Sequence, residues 1–486
     1  MLLTHNSTEN RDALLSRFAS RLKVNADLDR SLVSYQADKE TPFYGWFKYR
    51  EGFTSRLVNY LIKNVHPSPG TLLDPFAGSG TALFAAAERG WRTCGIEVLP
   101  VGVYAIQSRI AAERVSPDSL IDIADTLKSL DYDRYYDEAY KLQHIAITKG
   151  AFPAQQEHEL TGYISCCNKH LPSGDVRNLA LYAAFCILEE ISYTRKDGQY
   201  LRWDSRSGRS QGKEPFDKGV ILSFRDAISR KLDQMMVDLS GMPKATISGQ
   251  MSFDFNSPED RTQFEHPTPE VIQGSCLERL PELQDASIDV ILTSPPYCNR
   301  YDYTRTYALE LVYLGATHDD VVRMRQAMLS CTVENKTKHE QLYELYAALG
   351  RSSHFDAIDS EFRQQAALQE VLSILDGYRD AGQLNNPHIT RLVRNYFYEM
   401  CFVIYEMARI LAPGGHVIMV NDNVRYAGEE VPVDIILSSV AEAFGLVTEN
   451  IWSLARGKGN SSQQMGVHGR SELRKSVYVW RKPVNA

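Results

Sequence analysis

The run Leu73-Asp74-Pro75-Phe76-Ala77-Gly78-Ser79-Gly80-Thr81 constrains this chain more than any other segment. Thr71 to Phe76 reads as a short buried strand, and Thr81 to Arg89 as a helix that Gly90 can end. Arg92 to Val98 reads as a second strand. Strand, glycine turn, helix and strand fit into about 30 residues, the size of one βαβ unit. Gly78 and Gly80 remove side chains where backbone must approach a ligand. Glu97 closes the second strand, 23 positions after Asp74, where a carboxylate can accept both hydroxyls of a ribose. No Lys-Ser/Thr pair follows the glycines, which excludes a phosphate-cradling ATP loop. Leu83 and Phe84 stand where a dinucleotide fingerprint needs its last glycine. A glycine-rich turn alone marks only a tight turn. With Asp74 and Glu97 it points to a cofactor that has a ribose but no pyrophosphate.

The rest of the chain interrupts this pattern. At 486 residues it is too long for one compact core. Apolar strand patterns return at Glu270 to Cys276 and at Ile288 to Leu292. An apolar helix over Tyr396 to Leu411 leads through Pro413-Gly414-Gly415 into a strand from His416 to Asn421. Val433 to Phe444 reads as an amphipathic helix, and Val447 to Leu454 and Ser476 to Arg481 as strands. An α/β sheet whose last two strands pair antiparallel accounts for these pieces. Residues 1–40 are expected to form an N-terminal helical extension. The core is expected in 41–111, 269–298 and 396–486. The long stretches 112–268 and 299–395 are read as insertions, the first largely helical.

Composition excludes some classes. No apolar run approaches the roughly 20 residues of a bilayer span. The eight cysteines include no CxxC pair, and the histidines lack metal-ligand spacing, so no metal site is expected. Such cysteine usage fits a reducing cytoplasm. A net charge of −8 argues against a uniformly basic coat but leaves room for a local basic cleft.

A second chemical signal is Thr293-Ser294-Pro295-Pro296-Tyr297. A buried strand delivers it to a carboxyl end, where ligands bind in open α/β sheets. Two prolines remove two N–H donors and stiffen the backbone. Ser294 and the Pro295 carbonyl can then accept the hydrogens of an amino group, while Tyr297 offers a face for a flat base. An exocyclic amine is a poor nucleophile, and acceptors on its hydrogens redirect its lone pair. Read alone, the motif could equally be a turn that merely ends a strand.

Together the two motifs resemble those of the DNA amino-methyltransferases, which make N4-methylcytosine or N6-methyladenine. Asp74–Thr81 is similar to their methionine-binding motif and Ser294–Tyr297 to their catalytic motif. Phe47 to Phe53, Ala408 to Gly415 and Ser476 to Lys482 resemble further family segments. The resemblance covers nearly half the chain and misses both long stretches. It implies a Rossmann-like class I methyltransferase sheet with two largely helical insertions, and S-adenosyl-L-methionine as cofactor. Tyr49, Phe53, Asp74, Pro75, Phe76, Gly78, Ser79, Gly80, Thr81, Glu97, Ser275 and Cys276 are the implied cofactor residues. Ser294, Pro295, Pro296 and Tyr297 are the implied catalytic residues, acting on a base flipped out of duplex DNA. Ser before Pro-Pro-Tyr tilts the family reading towards cytosine N4. Family members protect DNA beside a partner nuclease or work alone; a restriction–modification system with a cognate endonuclease is the expectation. The cofactor motif precedes the catalytic one, which excludes the permuted class with the reverse order. Gly274-Ser275 departs from the family's Gly-Asp pair, so a carboxylate contact to the cofactor's adenine is not expected there.

DNA contacts are sought in the two insertions, 112–268 as a candidate for target recognition and 299–395 for DNA contact, each with one basic, aromatic stretch. Arg195, Lys196 and Arg202 flank an expected Asp-Gly hairpin turn, and Arg300 and Arg305 follow Tyr297. A solvated loop would look similar. Other readings stay open on sequence alone: an adenine methyltransferase, an RNA base methyltransferase, an inactive DNA-binding subunit, or a protein-amide methyltransferase.

Overall fold

The computed structural model describes residues 8–28, 32, 38–50, 52–197, 200–209, 214–241, 266–454, 458–459 and 472–484. Its centre is an eight-stranded sheet. The strands are β1 (Leu22–Asn25), β2 (Thr71–Asp74), β3 (Arg92–Glu97), β4 (Glu270–Gln273), β5 (Ile288–Thr293), β6 (Leu411–Asp422), β7 (Val447–Leu454) and β8 (Lys475–Arg481). Their order in space is β1-β7-β8-β6-β5-β2-β3-β4. Strands β4, β3, β2, β5 and β6 pair in parallel. Strand β8 runs antiparallel to both its neighbours. The chain steps outward from β2 to β4 on one side and from β5 to β6 on the other. That reversal creates a switch point between β2 and β5, where a crevice opens at the carboxyl ends.

Residue type explains the central strands. Val290, Ile291 and Leu292 are fully buried, as a parallel strand covered on both faces requires. The helix after β2 spans Thr81–Ala87 and buries every residue but the first. Gly80 caps it in the left-handed region at φ 83°, open to glycine without a Cβ clash. The helix ahead of β6 spans Ile389–Ile410, beginning earlier than the apolar run at Tyr396 indicates. It is buried nearly all round because it packs against both the sheet and neighbouring helices.

One region differs from the sequence reading, and a second extends it. Within residues 1–40 a helix over Glu9–Phe18 is followed by β1, which joins the sheet edge in parallel with β7. Leu22-Lys23-Val24-Asn25 is too short and too exposed to announce a strand; its register comes from Ile451 to Leu454. Within 112–268 the helices Pro117–Ser129, Ala154–His170, Asp175–Cys186 and Phe224–Ser240 share a hydrophobic core with residues 99–112 and 307–328. A hairpin of Thr194–Asp197 and Tyr200–Trp203 is added to them. Its turn, Gly198-Gln199, lies outside the described residues. Among the described residues no helix is long and apolar enough to cross a membrane.

Candidate functional site

A cleft of about 770 Å³, including space open to solvent, sits at the carboxyl ends of β2, β3 and β5. Asp74 ends β2 and is 2% exposed. Its Oδ1 accepts from the Phe76 amide at 3.0 Å and from the Thr293 hydroxyl at 2.6 Å. Glu97 ends β3 with one carboxylate oxygen accepting from the Gly78 amide and the other from the Leu99 amide, each at 2.7 Å. Burial raises both acids to about pKa 7, against the pull of these donors. Each oxygen of Glu97 keeps a lone pair for a further donor.

Small residues make this approach possible. A Cβ on Gly78 would stand 2.9 Å from the Tyr49 ring. Tyr49 is stacked on Tyr307 at 5.0 Å, and the Tyr307 hydroxyl accepts from the Arg50 amide at 2.6 Å. A Cβ on Gly102 would stand 2.3 Å from the Gly78 carbonyl. Gly102 therefore lets the helix Pro100–Ala112 seat directly against the glycine turn.

The structure brings most of the expected residues together. Tyr49, Phe53, Asp74, Pro75, Phe76, Gly78, Ser79, Thr81, Glu97, Ser275, Cys276, Ser294 and Pro296 all line the cleft. Gly80 does not; a Cβ there would meet Ile106 and Phe84, so its part is to start the helix. Pro295 and Tyr297 are also absent from the cleft's lining. Tyr297 is 8% exposed and its hydroxyl accepts from Ser294 at 3.3 Å. The Lys475 ammonium lies 5.5 Å from the Tyr297 ring centre. Beyond them Tyr426 donates to the Cys298 carbonyl at 2.6 Å and holds the chain that leaves the motif.

Sequence reasoning missed other lining residues. Gly52, Val98 and Leu99 flank recognised positions and could have been found by adjacency. Ala327, Met328 and Leu329 come from the second long stretch and carry no local signal, whereas Tyr303 belongs to the aromatic stretch that follows Tyr297.

The basic residues divide. Lys196, expected at DNA, is a correction: it is 2% exposed, ion-paired with Glu310 and packed over the Phe47 and Tyr307 rings. An ammonium neutralised inside the core has nothing to offer a phosphate. Arg195 is exposed and stands opposite Arg202 in the hairpin, on the other face from Lys196. Arg202 reaches Asp197 at 3.2 Å. Arg305 pairs with Asp302 and Glu334, and Arg300 donates to Asn385 at 3.3 Å. Lys458 has no described side chain, and Lys213 and Arg470 lie outside the described residues.

The large, mostly parallel sheet, with Asp74 and Glu97 at its carboxyl edge, is consistent with a Rossmann-like methyltransferase fold. The chain is 44% identical over 477 residues to the type II methyltransferase M.AvaI of Nostoc sp., and equally to that of Anabaena variabilis. The match covers 97% of this chain and 93% of each relative. The type II methyltransferase M.BsoBI of Geobacillus stearothermophilus is 41% identical over 478 residues, 94% of this chain and 88% of the relative. This chain belongs to the type II DNA methyltransferases, the modification enzymes of restriction–modification systems. No protein-family model matches it, and no solved structure does.

Proposed function

We propose that the protein transfers a methyl group from S-adenosyl-L-methionine to the exocyclic N4 of cytosine in duplex DNA. The observation that carries this reading is that Ser294 and Pro296 line the same cleft as Asp74 and Glu97. The residues fit the cofactor. Gly78 leaves a cradle that a Cβ would fill, and Glu97 presents a buried carboxylate to the cleft. Phe53, Phe76 and Met328 supply apolar wall.

When bound, the cofactor supplies an electrophilic methyl group. Asp74, the glycine turn and Glu97 hold it, with Tyr49, Phe53, Ser79, Thr81, Ser275 and Cys276 around it. Tyr297 stacks the flipped base, and Ser294 Oγ and the Pro295 carbonyl accept the amine hydrogens. Pro296 stiffens that backbone. Cytosine is preferred to adenine because Ser, not Asp or Asn, precedes Pro-Pro-Tyr. No cysteine nucleophile is used, since the amine attacks directly.

Residues 112–268 and 299–395 read and hold the DNA in this proposal. Arg195 supports it, because it is exposed on the face of the hairpin opposite Lys196, with Arg202 as its cross-strand neighbour. Arg300 and Arg305, which follow Tyr297, are assigned to the DNA in the same proposal. A cognate restriction endonuclease acting in the same cytoplasm completes the reading.

The test incubates the protein with labelled S-adenosylmethionine and unmodified duplex DNA, then identifies the labelled nucleoside by mass. N4-methylcytosine is expected. N6-methyladenine would overturn the base, and unlabelled DNA with bound cofactor would overturn the substrate.

A further inference from the structure

Part of the cleft's wall is Ala327, Met328 and Leu329. They end the helix His318–Ala327 and enter a segment without regular structure that runs to Lys338. Leu329, Ser330, Cys331 and Thr332 are each at most 2% exposed. Buried irregular chain must find a partner for each backbone polar group, because neither a ladder nor water supplies one.

Those partners are side chains from distant elements. Glu399, on the helix Ile389–Ile410, accepts from the Ser330 amide at 2.7 Å and from the Ser330 hydroxyl at 2.5 Å. Lys338 donates to the Met328 carbonyl at 2.9 Å. It also donates to both Glu399 oxygens at 2.8 Å. The two side chains are 5% and 1% exposed. Asn335 adds a loop clamp, accepting from the Cys331 and Thr332 amides and donating to the Arg325 carbonyl. Ser275 spends its hydroxyl on the Ala327 carbonyl at 2.7 Å.

A buried ion pair is weak evidence for stability, since apolar residues of equal volume often do as well. What an apolar pair cannot do is satisfy the Met328 carbonyl and the Ser330 amide together. We infer that Lys338 and Glu399 are positioning residues of the cofactor site, fixing Met328 and Leu329 as its apolar wall, with Ser275 anchoring the same wall at Ala327. The inference rests on the reading of this cleft as the S-adenosylmethionine site. It also gives Ser275 a use: the hydroxyl holds protein backbone in place of a carboxylate that would hold adenine.

The test titrates the full-length protein with S-adenosylhomocysteine by calorimetry and follows thermal unfolding in parallel. The variants are Glu399→Gln, the double variant Lys338→Met with Glu399→Leu, and Ser275→Ala. Breaking the pair on one side leaves an uncompensated buried charge and lowers the melting temperature. The double variant removes both charges and recovers much of that loss. Its Kd for S-adenosylhomocysteine should still rise about tenfold, because the wall is no longer held. Its KM for S-adenosylmethionine should rise by a larger factor than its kcat at saturating cofactor falls. Ser275→Ala, a small change that needs no refolding of the wall, should raise the same Kd severalfold. Unchanged Kd in both the double variant and Ser275→Ala would overturn the positioning role. Failure of the unaltered protein to bind S-adenosylhomocysteine would instead overturn the cofactor reading beneath it.

Discussion

Thr293 donates a 2.6 Å hydrogen bond to Asp74 across 219 positions of sequence. Each is the last residue of its strand, and the strands are neighbours, with Leu72 facing Val290 and Leu73 facing Ile291. The contact ties the proposed cofactor motif to the proposed catalytic motif through one buried bond.

Replacing Thr293 by Val keeps the shape and removes the donor. Asp74 then keeps the Phe76 amide alone for an oxygen that now holds two donors. The expected cost is about 1–3 kcal/mol of stability near pH 8, from chemical denaturation. It should shrink near pH 5, where the carboxyl is protonated. A pH-independent cost would mean that the charge on Asp74 is irrelevant to the bond.

Asp74 and Glu97 also set a pH dependence. Folded, each holds its proton up to about pH 7; their ordinary values are 3.8 and 4.5. Between these limits the folded state binds more protons than the unfolded one. Their contribution to stability is therefore full below about pH 4, falls as pH rises, and is lost above about pH 7. Cofactor affinity should run the other way, because ionised Glu97 is the better acceptor for ribose hydroxyls. Calorimetric titration with S-adenosylhomocysteine from pH 5.5 to 8 should show tightening as pH rises. A flat profile would remove Glu97 from the binding reaction.

Ser294→Ala and Tyr297→Ala should separate the two tasks of the catalytic motif. Loss of the Ser294 acceptor is expected to lower kcat about 100-fold while cofactor Kd stays nearly constant. Loss of the Tyr297 ring should weaken DNA binding by about 1–3 kcal/mol, the worth of one stacked base. Steady-state kinetics with a duplex substrate checks both, and normal rates in both variants would displace the catalytic assignment.

Arg195 and Lys196 are adjacent and should behave differently. Arg195→Ala should weaken duplex binding and reduce the slope of log affinity against log salt by about one phosphate contact. Lys196→Met should leave Glu310 buried and unpaired, costing about 3–5 kcal/mol of stability with no change in that slope. Equal salt slopes for Arg195→Ala and the unaltered protein would take the hairpin out of the DNA interface.

The alternation that separates these two residues was available in the sequence. Once 194–197 is a strand, neighbours must face opposite ways. What the sequence could not say is which face meets the core, because that depends on Glu310, 114 positions away. The same division holds at the site. Asp74 to Thr81, Glu97 and Ser294 to Tyr297 are legible because strand, turn and helix signals are contiguous and their chemistry is local. The sequence by itself therefore determined the glycine turn at Gly78–Gly80, the Ser294–Tyr297 motif and the strands that carry them. Tertiary structure decided that Thr293 meets Asp74, that Lys196 is core, and that Met328 and Leu329 wall the cleft. Periodicity reports that a residue is buried, not what buries it. Partners such as Lys338 and Glu399 are chosen by the packing of helices onto the sheet.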